Sequence, residues 1–231
     1  MRPAPHWLKR TLLAVFALLV LWQGWYMGWV LWWKWVDPTE THFMSLRLEA
    51  LQEKKPKAVL KHTWTPYERI SPHLKRAVIA SEDDKFIDHD GFDWEGIQKA
   101  IEKNQRRGKV VAGGSTISQQ LAKNLFLSAS KTPWRKAQEA IITLMIEMTW
   151  DKRRILEVYL NVVEWGEGLF GAEAAARRYF GVSATGLSAE QGARLAVMLP
   201  APRRFEKNPW SGYLDARTFS VMDRMRYSEI P

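Results

Sequence analysis

Cysteine is absent from the chain, which excludes disulfides and thiolate metal sites and leaves the compartment open, since a cysteine-free chain suits oxidising and reducing spaces equally. Acidic side chains are in deficit, with 25 Asp and Glu against 34 Lys and Arg and a formal charge of +9. That balance favours an anionic partner, whether nucleic acid, a lipid surface or a phosphorylated substrate, and does not choose among them. No Gly-Lys-Ser/Thr follows the glycine pair Gly113-Gly114, so the Walker signature of nucleotide binding is missing. His89 has no second histidine at zincin spacing, and a zinc site therefore lacks its ligands. Alternating apolar stretches of strand length are also lacking, as are internal repeats, which leaves a mainly α chain. At 231 residues with 46% hydrophobic composition, there is room for one globular domain and a short appendage.

The appendage comes first. Arg2, Lys9 and Arg10 precede an uncharged run from Thr11 to Trp33, which at roughly 1.5 Å per residue can cross a hydrocarbon core about 30 Å thick. A cleaved signal peptide would have a shorter apolar core and end at small residues, whereas this run ends in Trp32, Trp33 and Trp35. Trp22, Trp25, Tyr26 and Trp29 crowd toward its exit as in a headgroup-level aromatic belt. Cations before the run, and Asp37 and Glu40 after it, place the N-terminus in the cytoplasm and the remainder outside the inner leaflet. The expected divisions are a cytoplasmic stub (1–10), a transmembrane helix (11–36), a membrane-proximal linker (37–70) containing a helix from Thr41 to Gln52, and the globular domain (71–231).

Helix signals follow in order. Ser71-Pro72 starts a helix that carries Leu74, Ala77 and Val78 on one face and ends at Glu82. Asp93 starts the next, with Trp94, Ile97 and Ile101 expected inward and Gly108 as its stop. Thr116 and Gln119 form a capping box; Ile117, Leu121 and Leu125 then face the core, and Gln119, Gln120, Lys123 and Asn124 are expected on the opposite, polar side. Pro133 opens a helix with Arg135 and Glu139 one turn apart. Asp151 caps another through Tyr159, Ala172 to Phe180 is helical with Gly181 as its stop, Ser188 and Gln191 form a second capping box, and Arg217 to Tyr227 is the last helix.

The chemistry-bearing residues lie between Glu82 and Glu147. The acids Glu82, Asp83, Asp84, Asp88 and Asp90 read alone as surface charge or as acid/base groups. Phe86 and His89 fall where a calcium loop requires an acid and a glycine, so that reading fails. Gly113-Gly114 before a helix start exposes backbone N–H groups to an anion, with Lys123, Arg135 and Lys136 nearby; the plain alternative is a turn with surface cations. Ser128-Ala129-Ser130-Lys131 matches Ser-x-x-Lys, but Lys131-Thr132 runs into Pro133 and no Ser-Asp-Asn appears, so it is read as a loop.

Taken together, these residues resemble the peptidoglycan glycosyltransferase family (glycosyltransferase family 51). The resemblance covers Ser71 to the C-terminus and rests on five motifs in family order. They are Glu82-Asp83 with Phe86, His89 and Gly91; Gly114-Ser115-Thr116 with Gln119, Gln120, Lys123 and Asn124; and Arg135-Lys136 with Glu139 and Glu147. The fourth is Lys152 with Ile155, Tyr159, Leu160, Asn161 and Gly166, and the fifth is Ala176 with Tyr179, Phe180, Gly181, Leu187 and Glu190. With one anchor and no room for a transpeptidase, the chain resembles the monofunctional, biosynthetic members.

The resemblance implies a lysozyme-like helical lobe, a smaller mobile lobe near the membrane, and lipid II and a growing lipid-linked glycan as substrates. Glu82 would act as general base on the C4 hydroxyl of lipid II, the hydroxyl would attack C1 of the donor chain, and polyprenyl diphosphate would leave with inversion. Lys123, Arg135 and Lys136 would stabilise the pyrophosphate, with a divalent cation, magnesium or manganese, allowed and no organic cofactor. Glu139 would join the catalytic set, orienting Arg135, binding a metal or positioning the pyrophosphate. Asp83, Phe86, His89, Ser115, Thr116, Gln119, Gln120, Asn124 and Lys152 would complete the substrate site. The expected surroundings are the cell inner membrane, a periplasmic catalytic domain, other wall-synthesis or division proteins as partners, and no nucleic acid. Two other classes stay open: a lytic transglycosylase or muramidase of the same fold, and a non-catalytic anchor of the wall machinery.

Overall fold

A computed structural model describes residues 6–109 and 113–231; the first half of the expected cytoplasmic stub, with Arg2, lies outside the described residues. The chain is mainly helical behind one apolar N-terminal helix. Helix α1 (His6–Trp33) runs through the uncharged stretch and is, among the described residues, the one helix long and apolar enough to cross a membrane. Its C-terminal half also packs on the following domain. Trp22 stacks on Trp134 with ring centroids 5.9 Å apart, Tyr26 and Trp33 both meet Phe126, and the Gln23 and Gln138 amides exchange hydrogen bonds of 2.9 and 3.0 Å. The Trp150 indole N–H donates to Val30 O at 2.8 Å. Phe126 is thus a docking residue for α1.

The segment after α1 is packed. Helix α2 (His42–Gln52) is capped by Thr41 and buries Phe43, Met44 and Leu51. A 3₁₀ turn at Tyr67–Arg69 leads into α3 (Pro72–Glu82), where Ser71 caps and Pro72 supplies a first helical residue that needs no N–H partner. Helix α4 (Trp94–Arg107) is capped by Asp93 and stopped by left-handed Gly108. The remaining helices are α5 (Ile117–Phe126), α6 (Pro133–Thr149), α7 (Lys152–Val162), α8 (Ala172–Phe180), α9 (Ala189–Met198), α10 (Pro202–Phe205) and α11 (Gly212–Arg224). Both expected capping boxes form. Helix α11 starts five residues earlier than expected because Ser211 caps it, and it seats Leu214, Thr218 and Val221 at helical spacing.

Among the described residues are three strands that the sequence did not announce: β1 (Lys61–His62), β2 (Glu164–Gly166) and β3 (Leu169–Phe170), in the order β1-β3-β2. At two or three residues each they are too short to show an alternating pattern. β2 and β3 form an antiparallel hairpin, and β1 joins β3 in parallel.

The centre of the core is α3 against α9, with α11 over both. Close approach depends on Gly192 of α9, where a Cβ would lie 2.9 Å from Leu74 N and 3.0 Å from the His73 carbonyl carbon. Trp165, Tyr159, Phe86 and Phe170 are fully buried, and the Trp165 indole N–H donates to Leu195 O of α9 at 3.0 Å. Helix α4 departs from expectation. Trp94 is 72% exposed, stacking only on Phe92, Ile101 is exposed, and Ala100 is the buried residue of the helix. Its periodicity marks an apolar stripe correctly, but α4 does not lie lengthwise against another helix, and periodicity cannot say what covers a stripe.

Gly192→Ala is expected to cost about 1 to 3 kcal/mol by overpacking, read as a lower midpoint in urea unfolding. Gly212→Ala, where no atom lies within 4 Å of the added Cβ, is expected to stay within about 0.5 kcal/mol of the parent.

Candidate active site

Glu82 is the last residue of α3, and Asp83 leaves the helix with φ −163° and ψ 75°. The turn aims the two neighbouring carboxylates in different directions. Glu82 Oε2 accepts a 2.9 Å hydrogen bond from Gln120 Nε2, and Gln120 Oε1 accepts one of 2.9 Å from the Tyr159 hydroxyl. Tyr159 is fully buried, and its hydroxyl is pushed well above its usual range by burial, then by the charges of Glu82 and Asp83. It keeps its proton, so the Gln120 amide is held with its NH₂ toward Glu82. Burial raises the pKa of Glu82; the Gln120 hydrogen bond and the charges of Lys123 and Arg217 oppose that rise, and Asp83 adds to it.

Asp83 turns inward. It is 6% exposed and takes the Ile117 N–H at 2.9 Å, tying the end of α3 to the start of α5. Its oxygens also lie 2.9 and 3.1 Å from His89 Nε2. Gly91 N–H donates to His89 Nδ1 at 3.1 Å, so the imidazole proton sits on Nε2 and points at Asp83. The Thr116 hydroxyl donates to Gly91 O at 2.7 Å while it accepts the Gln119 N–H. Lys152 ties His89 O to Glu147 and lies 4.8 Å from the Phe86 ring centroid. Gly91 closes this frame at φ +92°, where a Cβ would come within 2.9 Å of Thr143 Cγ2. Phe86, His89, Gln119 and Lys152, expected at the substrate, therefore stand behind the cleft wall and brace it.

The cleft itself holds about 410 Å³ and is lined by Glu82, Ser115, Gln120, Lys123, Asn124, Arg135, Lys136 and Glu139 from the expected set. Helices α5 and α6 pack together, which brings the second and third motifs face to face. Glu139 is 3% exposed and its two oxygens are taken separately by Arg135 and Lys136. Lys136 also donates to Ser115 Oγ at 3.0 Å. Lys123 has no hydrogen bond or ion pair within the described residues and lies 5.9 Å from the Phe43 ring centroid. Burial lowers its pKa, with Glu139 and Glu82 opposing and Arg135 and Lys136 adding to the fall. Glu139 thus anchors two cations, while a third is left for a ligand.

Two sequence expectations change. Gln119 and Asn124 are buried, not on an open polar face; Gln119 folds back to accept the Thr116 N–H, and Asn124 forms cleft wall. The N-terminus of α5 is not free for an anion either, since Asp83 takes the Ile117 N–H and Thr116 takes the Gln119 N–H. The glycine pair and Thr116 instead line a second space of about 150 Å³ on the other side of Glu82, with Asp84, Asp93 and Arg224. Glu82 and Ser115 border both spaces.

Sequence reasoning missed Arg47, Lys131 and Glu164, which also line the main cleft. A signal existed for Glu164: an acid between Val162-Val163 and Trp165 is out of place on a buried stretch. Among the described residues no three His, Cys, Asp or Glu side chains gather as metal ligands. The cleft carboxylates Glu139 and Glu164, moreover, each have Arg or Lys beside them.

A family model described as Transglycosylase matches residues 49–226. The chain is similar to curated proteins named biosynthetic peptidoglycan transglycosylase. One from Azoarcus sp. (strain BH72) is 63% identical over 226 residues, covering 98% of this chain and 97% of the relative. One from Aromatoleum aromaticum (strain DSM 19018 / LMG 30748 / EbN1) is 62% identical over 231 residues, covering 100% of both. A third, from Dechloromonas aromatica (strain RCB), is 59% identical over 226 residues and covers 98% of each.

Because the folded state raises the pKa of Glu82 above its ordinary 4.5, the native protein binds that proton more tightly than the unfolded chain, and stability falls as pH rises from the ordinary value through the raised one. Glu82→Gln is therefore expected to raise the melting temperature at about pH 7, with the gain shrinking below about pH 4, as read by thermal melts across that range.

Proposed function

The chain belongs to the transglycosylase family and polymerises the glycan strands of peptidoglycan; we propose that it does so in this cleft, with Glu82 as the general base and Lys123, Arg135 and Lys136 as the diphosphate site. What carries the reading is one arrangement: a partly buried carboxylate fixed by Gln120 and Tyr159 on the floor of a cleft whose walls carry those cations.

The acceptor is lipid II, whose sugar C4 hydroxyl is too weakly acidic to attack unaided at neutral pH. Glu82 removes its proton as the oxygen attacks C1 of the lipid-linked donor strand, a role worth about 10² to 10⁴ in rate. The C1–O bond to the diphosphate breaks on the opposite face, the anomeric centre inverts from α to β, and the electron pair leaves with the polyprenyl diphosphate. Charge then builds on phosphate oxygens, where Lys123 is free to bind and Arg135 and Lys136 are held ready by Glu139. Glu139 acts as a positioning residue, since both of its oxygens face cations and neither is free for substrate.

The cleft residues do not fit a resident divalent cation. Each wall carboxylate other than Glu82 has an Arg or Lys beside it and no three His, Cys, Asp or Glu side chains gather among the described residues, so no step is routed through a metal. Wall cleavage, the other enzyme of this fold, calls for no diphosphate site, and the three cations would then have no ligand. Helix α1 is read as the anchor in the cell inner membrane, with the N-terminus cytoplasmic and the catalytic domain periplasmic. An anchored cleft meets bilayer-confined substrates at a raised effective concentration.

Purified protein with labelled lipid II in detergent is expected to form polymer, and Glu82→Gln to lose about 10² to 10⁴ in kcat; polymer at the parent rate from Glu82→Gln would overturn the base assignment. The acid limb of kcat/KM should lie above 4.5, because the base must be ionised and burial raises its pKa. Gln120→Leu, which removes a hydrogen bond to the charged form, should move that limb further up.

A further inference from the structure

We propose that Arg47 and Glu164 form a saccharide subsite of this cleft, in which Glu164 accepts a hydrogen bond from a hydroxyl or acetamido N–H of the glycan and Arg47 donates one to it. The proposal rests on the polymerase reading above and adds to it two residues outside the five motifs.

Arg47 comes from α2 and Glu164 from β2, and both line the same cavity as Glu82. Glu164 is 5% exposed. Its Oε2 lies 3.1 Å from Arg47 Nε, yet the pair is not aligned as a hydrogen bond, and both Arg47 Nε and Glu164 Oε1 are buried without a partner. An unpartnered buried carboxylate oxygen is costly, and native proteins rarely keep one without a use. Here two such atoms, one donor and one acceptor, belong to neighbouring side chains on the wall of an open cavity. The local backbone is also irregular, since the register of β2 on β3 shifts between Glu164 and Gly166, and bulges of this kind re-aim side chains beside active sites.

The chemistry selects among occupants. A phosphate is repelled by the carboxylate, and a prenyl chain would leave both charged groups desolvated and unmatched. A hexosamine suits both side chains, because adjacent hydroxyl and acetamide groups offer hydrogens to the Glu164 carboxylate and an oxygen to the Arg47 guanidinium while adding no net charge. The surrounding wall suits a sugar ring as well, with Val163, Leu199, Pro200 and Pro202 presenting apolar surface to its C–H faces. Phe43 fixes the spacing from the diphosphate site: its ring centroid lies 4.7 Å from the Arg47 guanidinium and 5.9 Å from Lys123 Nζ. The subsite thus lies one aromatic ring away from Lys123, one of the three cations assigned to the diphosphate, where a sugar of the lipid-linked substrate would sit. Burial also pushes the Glu164 carboxyl up, with Arg47 and Arg203 opposing, as befits a carboxylate lacking a full set of partners.

Equilibrium binding in detergent, in a Glu82→Gln background that does not consume substrate, separates the sugar from its carrier. Adding Glu164→Gln is expected to weaken lipid II binding about tenfold or more, as for a lost hydrogen bond to a charged group, and to leave sugar-free polyprenyl diphosphate within about twofold, a ratio near unity for a contact the ligand does not make. With Glu82 intact, Glu164→Gln should raise KM for lipid II while keeping kcat and the acid limb of the pH profile. Arg47→Gln should repeat the pattern, so the result does not depend on one variant folding. Unchanged lipid II binding in both variants, or equal losses for lipid II and polyprenyl diphosphate, would overturn the subsite. A wild-type protein that fails to extend lipid II would instead overturn the polymerase reading beneath it.

Discussion

The hydrogen bond from Ile117 N–H to the Asp83 carboxylate decides where the site can form. It joins the end of α3, which carries Glu82, to the start of α5, which carries Gln120 and Lys123. Because a buried carboxylate must find partners, Asp83 gathers the His89 imidazole as well, and His89 in turn fixes Gly91 and receives Lys152 at its carbonyl. Two adjacent acids thus divide the labour: one is spent on geometry, which leaves the other on the cleft wall. A helix N-terminus favours negative charge, and here the protein supplies that charge itself.

The same division recurs on α6. Glu139 could have been a ligand or a base, but Arg135 and Lys136 each occupy one of its oxygens. Their charges are held at the cleft wall, and the rotamer entropy that two long cationic side chains would lose on meeting an anion is reduced beforehand. Lys123 is the exception, partly buried and unpaired within the described residues. The cleft combines two preset charges with one that completes itself on the ligand.

Much of this was legible in the sequence, because it rests on local rules. Ser71-Pro72, Asp93, Thr116 with Gln119, Asp151, Gly108 and Gly181 mark helix ends by satisfying or relieving backbone groups nearby in sequence. What stayed hidden depends on contacts distant along the chain. Whether His89 meets substrate or Asp83, whether Trp94 faces core or solvent, and whether Glu164 reaches the cleft are decided by the packing of elements far apart. Residue type and spacing alone do not carry that information. The motif residues were therefore found as a set, while their division into cleft wall and supporting frame needed the fold.

The docking of α1 makes the anchor part of the domain's own surface. Phe126, Trp134 and Trp150 each meet an aromatic ring or a carbonyl of α1, and Arg154 reaches the Trp33 and Val36 carbonyls at its end. Cutting the chain after residue 36 would bare those rings and leave the Trp150 indole N–H without its acceptor, at about 1 to 3 kcal/mol for such a group when it stays buried. The apolar helix that precedes the domain is thus also a cover that the folded domain needs.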